Sequence, residues 1–235
     1  MSRRINGDGR RRASLRPAAA AATLAAALMF TLAASREGAA GAGPSVLAFD
    51  GDAAGKAPPG FSFGRTGSGA AGRWEVKAEP GAPSGGNVLA QLDADDTDYR
   101  FPVAVADAPS FADGVVSVKC KPVSGKVDQA CGLVMRFKDA DNYYLTRANA
   151  LEDNVRFYFV KDGKRKQVAS WKGKVASGAW HDLRMEAHGD HFVVTFDGAK
   201  VLDAHDKTFS AAGKAGVWTK ADSVTYFDDL SLTAM

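Results

Sequence analysis

Residues 183–198 read LRMEAHGDHFVVTFDG and contain two strand-like runs, each followed by a tight-turn pair. Apolar residues occupy every second position of both runs, 183–187 and 192–196. A period of two places one row of side chains in a core and the other in solvent. The pairs Gly189-Asp190 and Asp197-Gly198 supply the positive φ angles that tight hairpins require. The stretch therefore predicts three successive antiparallel strands.

The same rhythm continues in both directions from this stretch, between Trp74 and Leu232. Short strand-like runs alternate with turn residues, and no segment has a sustained helical period with caps at both ends. Residues 43–72, rich in Gly, Ala and Pro, indicate one short strand around Val46 and then a loop. Many short strands with regular turns predict an all-β, two-sheet antiparallel sandwich. The strands are predicted at 73–78, 87–92, 99–105, 114–121, 131–138, 143–149, 154–161, 165–171, 179–188, 191–197, 199–204, 214–219 and 223–233.

Residues 1–42 differ in composition from the rest of the chain. Six arginines precede an apolar run from Ala18 to Ala34, and Ala40-Gly41-Ala42 fits a small-x-small cleavage pattern, which is the layout of an export signal. The pair Arg11-Arg12 leaves both the general secretory and the twin-arginine route open. The alternative is an uncleaved membrane anchor, for which the run is only just long enough. We predict a signal at 1–42, one domain at 43–235 and a periplasmic or secreted bacterial protein.

The basic character of the chain belongs to this first segment. It holds seven of the 30 Lys and Arg residues and two of the 27 Asp and Glu residues, so residues 43–235 carry a net charge of −2. A segment of that charge has no electrostatic attraction for polyanions. We therefore expect no nucleic-acid partner, and no membrane partner beyond the export signal.

Two cysteines, Cys120 and Cys131, flank a short polar connection between strand-like runs. In an oxidising compartment the default is a disulfide between neighbouring strands. The alternatives are two buried free thiols, or a two-cysteine metal site, which would lack a nearby histidine.

Several motifs in residues 131–232 carry a resemblance to a known family. They are Gly132-Leu133-Val134-Met135-Arg136-Phe137, Asp141-Asn142-Tyr143-Tyr144-Leu145, Arg147-Ala148-Asn149, Glu152-Asp153-Asn154-Val155-Arg156, Trp180-His181-Asp182-Leu183-Arg184, Asp197-Gly198, Gly216-Val217-Trp218-Thr219-Lys220 and Phe227-Asp228-Asp229-Leu230. The chain resembles the concanavalin A-like lectin/glucanase superfamily. It looks most similar to bacterial domains described as laminin-G-like, family-16 glycoside hydrolase-like or 3-keto-disaccharide hydrolase-like.

The resemblance implies a jelly-roll sandwich with a concave face on which relatives bind or cleave glycans. It does not extend to catalysis, because the glutamates of residues 43–235 do not form the two-glutamate strand pattern of family-16 enzymes. Glycoside hydrolysis normally needs two carboxylates about 5–9.5 Å apart. Whether the chain is an enzyme stays open, with binding favoured over hydrolysis.

Candidate ligand residues lie on successive predicted strands. Guanidinium, amide and phenol groups donate hydrogen bonds to sugar hydroxyls, and an indole offers a stacking surface. Arg136, Tyr144 and Arg156 fall at alternating positions that would share one face of a sheet. The alternative is a solvated face whose arginines cover apolar surface. The predicted ligand-binding residues are Arg136, Tyr144, Arg147, Asn149, Asn154, Arg156 and Trp218.

Three aspartates near the two ends of the domain form a second candidate. Asp50 follows the first predicted strand, and Asp228 and Asp229 lie in the last one. Chain ends often meet in jelly rolls, so these carboxylates are candidate ligands for Ca²⁺, which takes 6–8 oxygens. The alternative is that they accept hydrogen bonds from turn amides.

Three hypotheses for the function follow. The first is an exported module that binds glycan on its concave face. The second is a glycoside hydrolase of the 3-keto-disaccharide-like kind. The third is a structural or protein-interaction domain of the cell envelope. The fold alone does not choose between them, because one fold hosts many functions.

Overall fold

The computed structural model describes residues 43–235, which form two antiparallel sheets and contain no helix. Accordingly, this part of the chain offers no helix that would span a bilayer. The predicted signal at 1–42 lies outside the described residues.

The strand bounds are β1 Ser45–Leu47, β2 Phe61–Gly67, β3 Trp74–Ala78, β4 Asn87–Gln91, β5 Arg100–Ala106, β6 Gly114–Ser124, β7 Ala130–Asp139, β8 Asn142–Asn149, β9 Asn154–Lys161, β10 Lys164–Lys172, β11 His181–His188, β12 His191–Phe196, β13 Ala199–His205, β14 Lys214–Trp218 and β15 Val224–Ala234. Sheet A is ordered β13-β12-β11-β6-β15-β4-β3, with β1 also paired to β15, and sheet B is ordered β10-β9-β8-β7-β14-β5-β2. The predicted jelly-roll sandwich is confirmed.

The main core lies between the two sheets. In β6 of sheet A, Val116, Val118 and Cys120 point inward while the residues between them are half-buried. In β7 of sheet B, Leu133 and Met135 meet them from the opposite side. This alternation is the period of two read from the sequence, and it stabilises the sandwich through the apolar area it removes from water.

Sheet B also buries its outer face. A second apolar cluster lies there, built from residues such as Phe101, Val134 and Trp218 that are almost inaccessible to solvent. Sheet A does not cover this cluster; sheet B curls around it. The hydroxyl of Tyr99, which directly precedes β5, accepts a hydrogen bond from the Arg165 amide of β10 at 2.7 Å, so strands near opposite edges of the sheet meet. The outer face is therefore concave, and its middle is filled by side chains.

The expected disulfide joins Cys120 of β6 to Cys131 of β7, with their Cα atoms 6.2 Å apart. These strands are neighbours in the sequence but belong to opposite sheets. The bond therefore crosses the main core and closes the loop at residues 121–130.

One strand escaped sequence prediction. Residues 61–67 form β2 at the edge of sheet B, where the composition had indicated a loop. Its burial does not alternate, and Gly64 and Gly67 interrupt the apolar pattern. Backbone pairing with β5 from Phe61 to Gly67 defines this strand. This backbone pairing leaves no alternation of apolar and polar side chains, so it could not be predicted from the sequence of the strand.

Removing the disulfide should lower stability. The Cys120→Ala/Cys131→Ala double variant frees a short loop in the unfolded chain, and the expected loss is about 3 kcal/mol of unfolding free energy. Urea denaturation followed by tryptophan fluorescence measures it. As the matched control, unfolding of the wild type is measured with the disulfide intact and after its reduction. An identical denaturation midpoint after both thiols have been shown to be free would contradict the prediction.

Candidate functional site

A cross-strand row on the outer face of sheet B contains three of the predicted ligand residues. Backbone pairing sets Trp218 opposite Gly132, Gly132 opposite Arg147, and Arg147 opposite Arg156. Directly paired residues point to the same side of a sheet. Gly132 makes room for the indole, because an added Cβ there would lie 3.1 Å from Cε3 of Trp218. The row therefore runs from β14 across β7 and β8 to β9.

Three guanidinium groups converge on Tyr158, the next outward residue of β9. Arg147 Nη2 and Arg156 Nη1 lie 3.3 Å and 3.4 Å from the Tyr158 hydroxyl. The guanidinium carbon of Arg165, on the neighbouring strand β10, lies 4.7 Å from the centre of the Tyr158 ring. Guanidinium groups stack on aromatic faces, which holds Arg165 in this position. We call Arg147, Arg156, Arg165 and Tyr158 the arginine cluster.

Glu152 supplies a carboxylate to two members of the cluster. Its Oε2 lies 2.9 Å from Arg147 Nη2 and 3.2 Å from Arg156 Nη2. Partial burial would raise the pKa of the Glu152 carboxyl, but the hydrogen bond from Asn154 and the charges of the two arginines lower it to about 2. Glu152 is therefore ionised across the neutral range and does not act there as a proton donor.

A second polar group borders the cluster. Asn149 of β8 donates a hydrogen bond to Asp128, and Lys220 contacts both Asp128 and the exposed Asp98. Burial would lower the pKa of Lys220, but these two carboxylates raise it, so the lysine is charged. The loop that carries Asp128 is held by Asp222, which accepts hydrogen bonds from three consecutive backbone amides, including that of Asp128.

Four buried donors of this region have no hydrogen-bond partner. They are Arg147 Nε, Arg156 Nε, Arg165 Nη1 and Trp218 Nε1. Buried polar atoms are nearly always hydrogen-bonded, and an unpaired donor costs about 1–3 kcal/mol. These four donors are the atoms of the region that are free to pair with acceptor atoms, and they make the cluster and Trp218 the candidate ligand site.

Trp218 does not offer an open stacking surface. It is fully buried, with Phe101 on one side at 5.2 Å between ring centres and the Arg165 guanidinium 5.9 Å from its ring. Its predicted role as a platform for a sugar ring is therefore not supported in this arrangement. Its indole N–H remains one of the unpaired donors.

The prediction that Arg136 and Tyr144 share a face with Arg156 is wrong. Tyr144 pairs with Met135 and lies in the main core between the sheets, where its hydroxyl donates to Asp206 at 2.6 Å. Regular alternation would place Arg136 beside Val134 on the outer face.

A β-bulge reverses the direction of Arg136. Its φ is +49°, and the register with β8 shifts between Met135 and Asp139. The side chain then donates to the carbonyl oxygens of Ala112, Phe209 and Gly189. Its role is to tie loops together at one end of the sandwich.

Two of the three aspartates proposed for Ca²⁺, Asp50 and Asp228, have carboxylates with other partners, and Asp229 contributes its backbone amide to one of these contacts. Asp50 accepts hydrogen bonds from the amides of Gly86 and Asn87, and Asp228 accepts from the amides of Ser84 and Asp229. Burial raises the pKa of the Asp228 carboxyl. Residues 43–235 hold no group of three or more His, Cys, Asp or Glu side chains arranged to bind a metal. These contacts agree with the alternative, that the carboxylates order the turn at 84–87.

Sequence reasoning thus found five residues that the structure brings together, namely Arg147, Asn149, Asn154, Arg156 and Trp218. It missed the site roles of Glu152, Asp128, Arg165 and Lys220. Continuing the alternation of β9 into β10 across the Asp162-Gly163 turn would have pointed to Arg165. The positions of Asp128 and Lys220 depend on loops, for which the sequence carries no comparable signal.

Solved structures share this architecture. The carbohydrate-binding module CBM66 from Bacillus subtilis has 25% sequence identity and a TM-score of 0.58, with 74% of this chain and 96% of that chain covered. Domain 4 of AbnA, a GH43 extracellular arabinanase from Geobacillus stearothermophilus solved with arabinotriose, has 13% identity and a TM-score of 0.53, covering 81% and 93%. These likenesses bear out the resemblance to the concanavalin A-like lectin/glucanase superfamily that the sequence indicated.

Among individual proteins, a levanase from Bacillus subtilis is 34% identical over 96 residues, which are 40% of this chain. The match spans only 14% of the levanase. No protein-family model matches the chain.

The Glu152 carboxyl should titrate at about pH 2 in wild type, as followed by its carboxyl carbon chemical shift. Because this pKa lies below the ordinary 4.5, the stabilisation from its ion pairs is fully present above pH 4.5 and is lost as the pH falls towards 2. Arg156→Ala should move the titration upward, because one positive charge is removed. Arg184→Ala, which breaks an ion pair with Glu186 on sheet A, should leave it unchanged. A wild-type titration at 4.5 would count against the assigned contacts.

Proposed function

We propose that this chain is an exported carbohydrate-binding module whose ligand site is the arginine cluster on the concave face of sheet B. The observation that carries the proposal is the set of four buried, unpaired donors, three on the arginines around Tyr158 and one on Trp218. Sugars are held by fixed guanidinium, amide and phenol groups arranged in a recess, and the cluster supplies these groups on rigid strands.

The likenesses support the same function. The similar structure from Bacillus subtilis is itself a carbohydrate-binding module, and this chain covers 96% of its length. The partial match to a levanase makes levan the first polysaccharide to test.

The chemistry of the site favours binding over hydrolysis. A glycoside hydrolase needs one carboxylic acid that is protonated when the bond breaks. Glu152 is held ionised by two arginines, and Asp128 is buried against Lys220 and Asn149. Burial raises the pKa of the Asp128 carboxyl, but the side chain is almost inaccessible to solvent and is already bonded to Lys220 and Asn149, which favours a structural role over proton donation.

The binding test compares two arginines in similar settings. Arg156 and Arg184 are each about one third exposed and each pair with a glutamate, but only Arg156 belongs to the cluster. Arg156→Ala should weaken glycan binding by roughly 10- to 100-fold, the cost of losing hydrogen bonds to a charged donor. Arg184→Ala should bind like wild type.

Isothermal titration calorimetry with levan, after a glycan-array screen, measures the affinities, and a reducing-sugar assay on the same samples detects turnover. Wild type that binds no glycan would reject the proposal, and so would equal binding by Arg156→Ala. Release of reducing sugar would favour the hydrolase alternative.

Export is the second part of the proposal. The arginine-rich and apolar composition of residues 1–42 supports it, and so does the disulfide, because disulfides persist in oxidising compartments. On expression of the full chain in a Gram-negative host, the periplasmic fraction should contain a product that begins at Gly43. Intact-mass spectrometry checks this. A full-length product retained in the membrane would point to the anchor alternative.

A further inference from the structure

We infer that the sugar unit recognised by the arginine cluster carries a carboxylate, as in a uronic acid. The inference rests on the proposed function and narrows its ligand to a chemical class. Its basis is the kind of atoms left unpaired at the site, together with the local balance of charge.

All four unpaired atoms are donors. Three belong to guanidinium groups and the fourth is the indole N–H of Trp218. A sugar hydroxyl brings a proton of its own, which needs an acceptor in the site. A carboxylate brings only acceptor lone pairs, about four of them, and accepts paired bonds from a guanidinium fork. The unpaired atoms therefore match a carboxylate better than a neutral hydroxyl group.

The charges around Tyr158 do not cancel. Arg147 and Arg156 share the single carboxylate of Glu152, at 2.9 Å and 3.2 Å. Arg165 Nη1 has no hydrogen-bond partner, and the guanidinium lies on the rings of Phe101 and Tyr158, at 4.5 Å and 4.7 Å. Lys220 chiefly, and Arg165 to a smaller extent, lower the pKa of the Asp98 carboxyl, but the hydrogen bond of that carboxylate goes to Lys220. A buried or half-buried charge without a counter-ion is costly, so an incoming anion is favoured.

Two further carboxylates bordering the cluster, Asp98 and Asp128, are already engaged. Asp98 lies 2.7 Å from Lys220 Nζ, and Asp128 contacts the same lysine. Counting these groups, four cations face three carboxylates, which leaves one positive charge. A single carboxylate on the ligand would balance the site.

Arg165 is also the member best able to respond to a ligand. It lies on β10, the edge strand of sheet B, and is half-buried, whereas Arg147 is fully buried. Guanidinium groups bind carboxylates through a planar fork that lysine lacks. Replacing Arg165 should therefore reduce the preference for an acidic sugar without removing the remaining polar contacts of the site.

The experiment compares each acidic ligand with its own neutral form. Glucuronate-, galacturonate- and mannuronate-based oligosaccharides are titrated into the full mature chain by calorimetry, beside the same oligosaccharides after reduction of the carboxyl to a primary alcohol. We expect at least one acidic form to bind roughly tenfold or more tightly than its reduced form, as a charge-assisted contact implies. The preference should shrink as NaCl is raised from 20 to 300 mM, because salt screens the charges.

Three variants test whether the preference for the acidic form depends on Arg165. Arg165→Ala should remove most of the preference, Arg165→Lys should restore only part of it, and Arg184→Ala should keep it. Circular dichroism spectra and melting curves confirm that each variant is folded. A preference that survives Arg165→Ala would contradict the inference.

The inference and the proposed function fail in different ways. Equal binding of acidic and reduced forms, or binding of levan but of no uronate, would overturn the inference and leave a neutral-glycan module in place. Absence of binding to every glycan would reject both.

Discussion

The organisation of this domain follows from sheet B having apolar residues on both of its faces. Leu133 and Met135 point towards sheet A, while Val134 on the same strand points away from it. A sheet of this kind is stable in water only if both faces are covered. Sheet A covers one, and curvature brings strands near the two edges of sheet B together over the other. The contact between the Tyr99 hydroxyl and the Arg165 amide marks this closure.

The same curvature creates the candidate site. Large aromatic residues fill the middle of the concave face, so no broad open groove is left there. At one end of the face the outward positions become polar, with Arg147 and Arg156 replacing apolar residues along β8 and β9. The strands hold these side chains against Tyr158 and against each other. A ligand would therefore meet groups that are already in place and would lose little binding energy in ordering them.

How far the sequence predicted this depends on how local each feature is. Alternation and turn pairs located every strand from β3 to β15, because those signals lie within a few residues. Edge strand β2 was missed, since its pairing with β5 is not visible in its own side chains. For the site, the residues of β8 and β9 were found by counting along regular strands. The same counting failed at Arg136, where a bulge with positive φ reverses the direction of the side chain. Asp128 and Lys220 were missed because loops, not strands, bring them together.

The position of β10 at the edge of sheet B has a consequence for solubility. An edge strand exposes unpaired backbone groups, which can pair with a strand of another molecule and so start aggregation. The sequence of β10, KRKQVASWK, places four cationic side chains along that edge, and its register with β9 shifts between Gln167 and Ala169. Repulsion between like charges and an irregular hydrogen-bond ladder both discourage such recruitment. The strand that carries Arg165 of the candidate site thus also disfavours self-association of the domain.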